Sequence, residues 1–326
     1  MTETTTARAG FASPVDVARH GTYRVPQRPE DPRPLYRFTH RITRDGSSGF
    51  PAVPGRYHLY AGWFCPWSQR VVLELEVNGL TTRPAGGQAG RPSSEDGGVI
   101  SVSYVDDARD GRGWAFRQTH GPDPVNGFTL LRDAYEATER GFDGHVSVPT
   151  LWDTETGRVV SNDYRTLGLD IATQFPGFRY PGVDTYPAGH RAEIEELDRW
   201  VGPAVNQGVG RASGKGPAAE QARSELLGAF RRLDARLVDG GFLVGRGLTE
   251  ADIRLWVTLA RYDVQANADG RLGPPLSSYP HLARYAAYLA ELPAFRASTR
   301  WSSFSAPDAV PSFLPHRPAD PTGGPR

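Results

Sequence analysis

The chain has 326 residues, with 37 basic and 37 acidic side chains, 38% hydrophobic residues and a single cysteine. That length suits two domains. Balanced charge argues against nucleic acid or an anionic membrane as partner, no apolar run reaches the roughly twenty residues that span a bilayer, and one cysteine excludes an internal disulfide framework or a cysteine-rich metal site.

Residues 1–8 (Met1 to Arg8) carry no secretory apolar core, so the expected compartment is a reducing cytoplasm. Residues 1–53 are rich in Pro, Arg, Thr and Gly with little periodicity. They read as an N-terminal arm, extended over a folded domain or partly disordered. Residues 54–176 read as a small α/β domain. Its first strand is expected at 57–61 and its first helix after Cys65. A Gly/Pro/Ser-rich loop follows at 83–98, then a strand at 99–104. An insertion at 106–144 is expected to hold a helix near 130–139. Two short strands, 148–153 and 158–161, flank the hairpin-turn segment Thr154-Glu155-Thr156-Gly157. Asn162 or Asp163 is the expected N-cap of a helix that runs to 174.

A linker at 177–189 leads to an all-helical domain at 190–300. Apolar residues recur at helical spacing over 191–201, 218–238, 250–262 and 280–292. Thr249-Glu250-Ala251-Asp252 resembles a capping box, with Asp in place of the usual Glu. The tail at 301–326 is proline-rich and expected to be extended. The eight histidines show no metal-ligand spacing, so no metal is expected. Gly208-Val209-Gly210 lacks the third glycine and preceding strand of a dinucleotide site.

The chemistry centres on Cys65-Pro66-Trp67-Ser68-Gln69-Arg70. A strand-like run precedes Cys65 and a helical pattern follows it. Proline suits the first helical turn, where its missing N–H is no loss. A thiol at that junction faces unpaired amides and the positive end of the helix dipole, which favours thiolate. The competing reading is an inert, buried small hydrophobe. Val148-Pro149 opens a later strand although proline gives a ladder no donor. A cis bond there would turn the Val148 backbone toward the thiol; the plainer reading is an edge-strand proline.

Together these segments resemble a known family. The order is strand, Cys65-Pro66-Trp67 with Arg70, then Gly113-Trp114-Ala115-Phe116, Val148-Pro149-Thr150-Leu151-Trp152-Asp153, Val160-Ser161-Asn162-Asp163 and Leu248-Thr249-Glu250-Ala251-Asp252. Over residues 50–295 the chain resembles the glutathionyl-hydroquinone reductases, the Xi class of glutathione transferases. The resemblance implies a thioredoxin-like domain followed by an all-helical substrate domain. It also implies a homodimer, and a small-molecule electrophile handled with glutathione. Cys65 would be the nucleophile and Val148 would hold the thiol cofactor through its backbone. Pro149 would fix that loop, Trp114 would pack on the cofactor, and Asp163 with the following amides would hold its amino-acid end. Arg132 is a candidate carboxylate partner, or a solvated helix arginine.

The chain departs from the family at several positions. Asp163-Tyr164 stands where the family reads Glu-Ser, and Ser68-Gln69 where it reads Ala-His. Tyrosines of the family's quinol pocket become Gly210 and Ala266. A site built on hydroxyl recognition discriminates strongly, so these losses point to a different electrophile. Abundant Gly, Ala and Arg beside a single lysine, Lys215, fit a GC-rich bacterial genome. Mycothiol or ergothioneine is therefore an alternative thiol, with Tyr164 either stacking on it or filling core space. Three functions stand at this point: Cys65-dependent removal or exchange of a low-molecular-weight thiol on an organic electrophile, conjugation of a non-glutathione thiol, and a catalytically silent transferase-like binding protein.

Overall fold

The computed structural model describes residues 10–26, 30–81 and 98–321; most of the expected 83–98 loop lies outside them. Two compact units divide the chain near Arg179 and Tyr180, with residues 76–78 grouped with the second.

In the first unit, α1 (Val17–His20) lies in the arm, followed by β1 (Tyr57–Ala61), α2 (Pro66–Asn78), β2 (Ile100–Tyr104), α3 (Arg132–Thr138), β3 (Thr150–Asp153), β4 (Arg158–Ser161) and α4 (Tyr164–Gln174). The sheet order is β2-β1-β3-β4. β1 runs parallel to β2, with Tyr57 opposite Ile100, and antiparallel to β3, with Tyr57 opposite Asp153. Side chains alternate across a strand, so β1 feeds two cores. Leu59 packs with Val72, Leu75, Leu167 and Ile171 on one face. Tyr60 packs with Phe116, Leu131, Tyr135 and Trp152 on the other. β3 starts at Thr150, two residues later than the sequence pattern suggests, because Pro149 has no N–H for the ladder. The Val148-Pro149 bond is cis.

The described part of the arm wraps this unit. Thr39 pairs antiparallel with Ser161, and His40 N donates to Val160 O at 3.2 Å. The arm thereby covers the outer edge of β4, which would otherwise offer an open ladder. Phe38, Ile42 and Phe50 are buried.

The second unit is helical: α5 (Arg191–Val201), α6 (Gly208–Ala212), α7 (Pro217–Arg236), α8 (Glu250–Arg261), α9 (Pro280–Glu291) and α10 (Pro293–Ser298). Periodicity does not indicate α6 and α10, which are short. In α6 two glycines carry low intrinsic propensity, so packing rather than local preference forms it. The capping box is present at α8: Asp252 Oδ2 accepts from Thr249 N at 2.8 Å. Asp252 Oδ1 also accepts from Leu243 N at 2.9 Å and Tyr285 Oη at 2.7 Å. Tyr262 and Tyr285 are core residues. The proline-rich tail is anchored by buried Phe304 and Phe313, the latter edge-on to Trp256.

Candidate active site

Cys65 is the residue immediately before α2. Its amide donates to Gly62 O at 3.0 Å, and its carbonyl accepts the first helical bond, from Gln69 N, at 3.0 Å. Ser68 N, an amide of the first turn, donates to Cys65 Sγ at 3.4 Å. The sulfur therefore takes the place of an N-cap oxygen. Ser68 Oγ closes the same turn by accepting from Gly62 N at 3.2 Å. An added Cβ at Gly62 would stand 2.6 Å from the Phe64 ring and displace it. Across the site, the thiol S–H donates to Val148 O at 3.5 Å. The two contacts pull in opposite directions. The amide and the helix dipole favour negative sulfur, and the carbonyl favours the thiol. Cys65 is 7% exposed. It is buried, but its sulfur meets polar backbone groups rather than hydrocarbon alone.

Beside the thiol stands a column of stacked groups drawn from three segments. Phe64 stacks on Trp114 with centroids 4.3 Å apart and planes at 29°. The Arg109 guanidinium carbon lies 4.1 Å from the Trp114 ring centre and 4.2 Å from that of Tyr23. Gly113 sits at φ +91°, a backbone conformation that favours glycine, with the Tyr23 ring alongside. Tyr23 Oη meets His145 Nδ1 at 3.1 Å and accepts from Val146 N at 3.3 Å. Burial, and then the Arg109 charge, depresses His145 to about 4. Burial raises the Tyr23 phenol, against the Val146 hydrogen bond. Both are neutral near pH 7.

On another side, the Tyr164 ring stacks on Trp67 at 4.6 Å and 19° and meets Tyr36 edge-on at 6.0 Å. Tyr164 is buried in the core, the space-filling alternative of its two sequence readings. Burial, then Tyr164 and Cys65, push the Tyr36 phenol up to about 12. Asp163 is the N-cap of α4 and accepts from Arg165 N at 3.2 Å. Its carboxylate also pairs with Arg165 Nε at 2.8 Å.

The structure thus gathers Cys65, Val148 and Pro149 at one point. It places Asp163 and Tyr164 at the start of α4, with Tyr164 facing Tyr36. Trp114 lies in the same cluster as Cys65, stacked on Phe64 with Arg109 over its ring. Arg132 is turned to its own surroundings: Nη2 lies 3.2 Å from Glu136 Oε1 and donates to Phe142 O at 3.0 Å. Sequence reasoning missed Tyr23, Tyr36 and Arg109. For Tyr23 and Tyr36 the one available signal was the aromatic content of the arm, and Arg109 lies in the 106–144 insertion.

A thiol at a helix N-terminus, facing the carbonyl before a cis-proline on a thioredoxin-like sheet, defines a cysteine-dependent thiol enzyme of the glutathione transferase type. The comparisons agree. A family model for the glutathione S-transferase C-terminal domain matches residues 216–287. The glutathionyl-hydroquinone reductase PcpF of Sphingobium chlorophenolicum is 33% identical over 248 residues, 74% of either chain. A glutathione transferase structure from Gordonia bronchialis is 32% identical with a TM-score of 0.73, covering 82% of this chain and 80% of that one. The glutathione-bound structure of YqjG, a glutathione transferase homolog from Escherichia coli, is 28% identical with a TM-score of 0.73, covering 82% and 85%. The chain belongs to the glutathionyl-hydroquinone reductase family, the Xi-class glutathione transferases, and is a thiol-dependent reductase or transferase.

Proposed function

We propose that Cys65 removes glutathione from a glutathionylated hydroquinone. The Cys65 thiolate attacks the glutathione sulfur. The carbon–sulfur bond breaks, its electron pair stays on the ring carbon, and that carbon takes a proton to give the hydroquinone. Cys65 is left in a mixed disulfide with glutathione. A second glutathione thiolate attacks the glutathione sulfur of that disulfide, releasing glutathione disulfide and the Cys65 thiolate. The ring is reduced, and two glutathione thiols are oxidised to one disulfide. One protein thiol suffices, and the chain has one. The observation that carries the reading is Cys65 Sγ, held between the Ser68 amide and the Val148 carbonyl. A homodimer in a reducing cytoplasm completes the proposal.

A second reading, a thiol other than glutathione such as mycothiol or ergothioneine, rests on Tyr164 and Asp163. The first fills the place of the family's small hydroxyl, and the second is already paired with Arg165. Intact mass after incubation with the disulfide of each thiol separates the two. One glutathionyl adduct on Cys65, with dethiolation lost in Cys65→Ser, supports the first reading, and an adduct only with another thiol supports the second. Dethiolation that persists in Cys65→Ser refutes the proposed chemistry, and no adduct with any thiol favours a silent binding protein.

A further inference from the structure

The carbonyl that meets the Cys65 sulfur belongs to a bracketed piece of chain. Val148 and Pro149 lie between Ser147 and Thr150, and one side chain of α3, Tyr135, joins those two flanking residues. Thr150 Oγ1 donates to Ser147 O at 2.6 Å. Tyr135 Oη lies 2.7 Å from Thr150 Oγ1 and 3.1 Å from Ser147 O. Ser147 N donates back to Tyr135 Oη at 3.3 Å. Each hydroxyl has one proton. With the Thr150 proton on Ser147 O, the shortest of these contacts, the Tyr135 proton goes to Thr150 and a ring of three bonds closes. The Ser147 side chain is held as well: its Oγ accepts from Asn162 Nδ2 at 3.2 Å, and Asn162 Oδ1 accepts from Phe38 N of the arm at 3.2 Å.

Tyr135, Thr150 and Asn162 are fully buried, and each of their side-chain polar atoms is bonded. Buried hydroxyls and amides are costly unless paired, and a paired buried network holds its members to one arrangement. The peptide joining Ser147 to Val148 is planar. Bonds to Ser147 O therefore fix the plane that leads into Val148, and the Thr150 bond fixes the chain just after Pro149. We propose that Tyr135 is a positioning residue for the thiol site: by tying Ser147 to Thr150 it holds the Val148 carbonyl against the Cys65 sulfur, and so sets the balance between thiol and thiolate. That carbonyl accepts the S–H at 3.5 Å and favours the thiol, so the bracket restrains the ionisation that the Ser68 amide and the helix promote. Burial raises the Tyr135 phenol, against its bonds to Thr150 and Ser147, so it keeps the proton it donates. Tyr36 of the arm and Arg109, the titratable groups coupled to Cys65, lie outside the ring, as do Asp163, Tyr164 and Arg165 around Tyr36.

The inference rests on the thiol of the proposed function, but its test needs neither glutathione nor a quinol. The rate of Cys65 alkylation by iodoacetamide is followed against pH on the full chain, whose single cysteine makes the signal unambiguous. Tyr135→Phe removes only the phenol oxygen. Its midpoint should fall by about half a pH unit, and the rate below the midpoint should rise about threefold. Thr150→Val should move the midpoint the same way, while Thr150→Ser, which keeps the hydroxyl, should leave it at the wild-type value. Tyr60→Phe is the control. Tyr60 is a buried phenol of the same core whose Oη bonds Asp123 and Asn126 instead, so its loss should lower stability without moving the midpoint. In infrared spectra taken below the midpoint, the one S–H band should shift to higher wavenumber in Tyr135→Phe, because the S–H loses its acceptor. A folded Tyr135→Phe protein with the wild-type midpoint or an unshifted band overturns the proposal, as does a Tyr60→Phe midpoint displaced as far. If Tyr135→Phe does not fold, the Thr150 pair decides, and equal midpoints in Thr150→Val and Thr150→Ser overturn it. If dethiolation persists in Cys65→Ser while these shifts appear, the proposed function fails and this inference stands.

Discussion

Gly111→Ala should detach the N-terminal arm from the loop that carries Arg109. An added Cβ at Gly111 would stand 2.0 Å from His20 O, inside the 3.0 Å that real Cβ atoms respect. The two segments must separate by about 1 Å, the difference of those distances. Backbone opposes backbone here, so no rotamer change relieves the clash. The Gly111 N to Gly21 O bond, 2.7 Å long, sits at the same point and is lost. One hydrogen bond contributes about 1 kcal/mol, and forced overpacking adds about 1–3 kcal/mol. The remaining anchors hold residues 12–16: Arg112 Nη1 to Ser13 Oγ at 2.6 Å, Arg117 Nε to Ser13 O at 3.0 Å and Asp16 N to Asp110 Oδ2 at 3.0 Å. The loss therefore falls mainly on residues 20–23. About 2 kcal/mol against the docked state raises the open fraction about 30-fold. Limited trypsin digestion reads that fraction through cleavage after Arg19 and Arg24, because proteolysis follows the open population when closing is fast. Cleavage should accelerate by about that factor while the global melting temperature stays near wild type. Gly189→Ala, where an added Cβ meets nothing within 4 Å, is the control. Unchanged cleavage in Gly111→Ala would refute the docking argument, and with it the reason Tyr23 can hold Arg109.

The buried His58 ring lies between Ser101 Oγ at 2.6 Å and Ser103 Oγ at 2.8 Å, and burial holds its pKa down to about 3. Because the unfolded ring takes a proton first, the contribution is complete above pH 6.5 and falls as pH drops from there toward 3. Between pH 8 and pH 5 denaturant melts should show about 2 kcal/mol lost through this group, and His58→Asn should flatten that slope; equal slopes would refute it. A second test concerns Arg56, which grips Asp153 through two bonds of 2.8 and 2.7 Å, with Asp153 fully buried. Arg56→Met should cost about 3–5 kcal/mol by urea melt, and Arg56→Met with Asp153→Leu should recover much of it; a single variant at wild-type stability would contradict the burial argument.

Most of the fold is legible because its signals are local. β1, β4, α4 and α5 fall at their expected residues. The first two are short apolar runs bounded by turn residues. α4 has Asp163 as its cap, and α5 has clear helical spacing. β3 is shortened by a proline that cannot join a ladder. α6 escapes notice because its two glycines argue against a helix and only neighbouring helices argue for it. In the arm, composition alone leaves wrapping and disorder equally open. Phe38, Ile42 and Phe50 decide for wrapping over the described part, since three large apolar side chains buried in one arm must dock.

The site divides along the same line. Gly62, Cys65 and Pro66 lie within one short run, and the helix that polarises the thiol starts at the residue after Cys65, so a short stretch of sequence carries that half of the device, while the Val148 carbonyl comes from far along the chain. Whether a neighbouring group is available to a ligand is a different kind of fact. Trp114 carries Phe64 and Arg109 against its ring, and Tyr164 carries Trp67, contacts that residue type alone does not announce. An aromatic residue type offers two faces, and only tertiary packing says which remain open. Arg109 is hidden for the reverse reason. The run Asp106-Asp107-Ala108-Arg109-Asp110 sets three acids beside one arginine, yet those acids lie against Arg117, His120 and Arg112. The cation left over faces Tyr23, 86 positions earlier in the chain. Which partner a charge takes here is a property of the whole ion-pair network rather than of any motif.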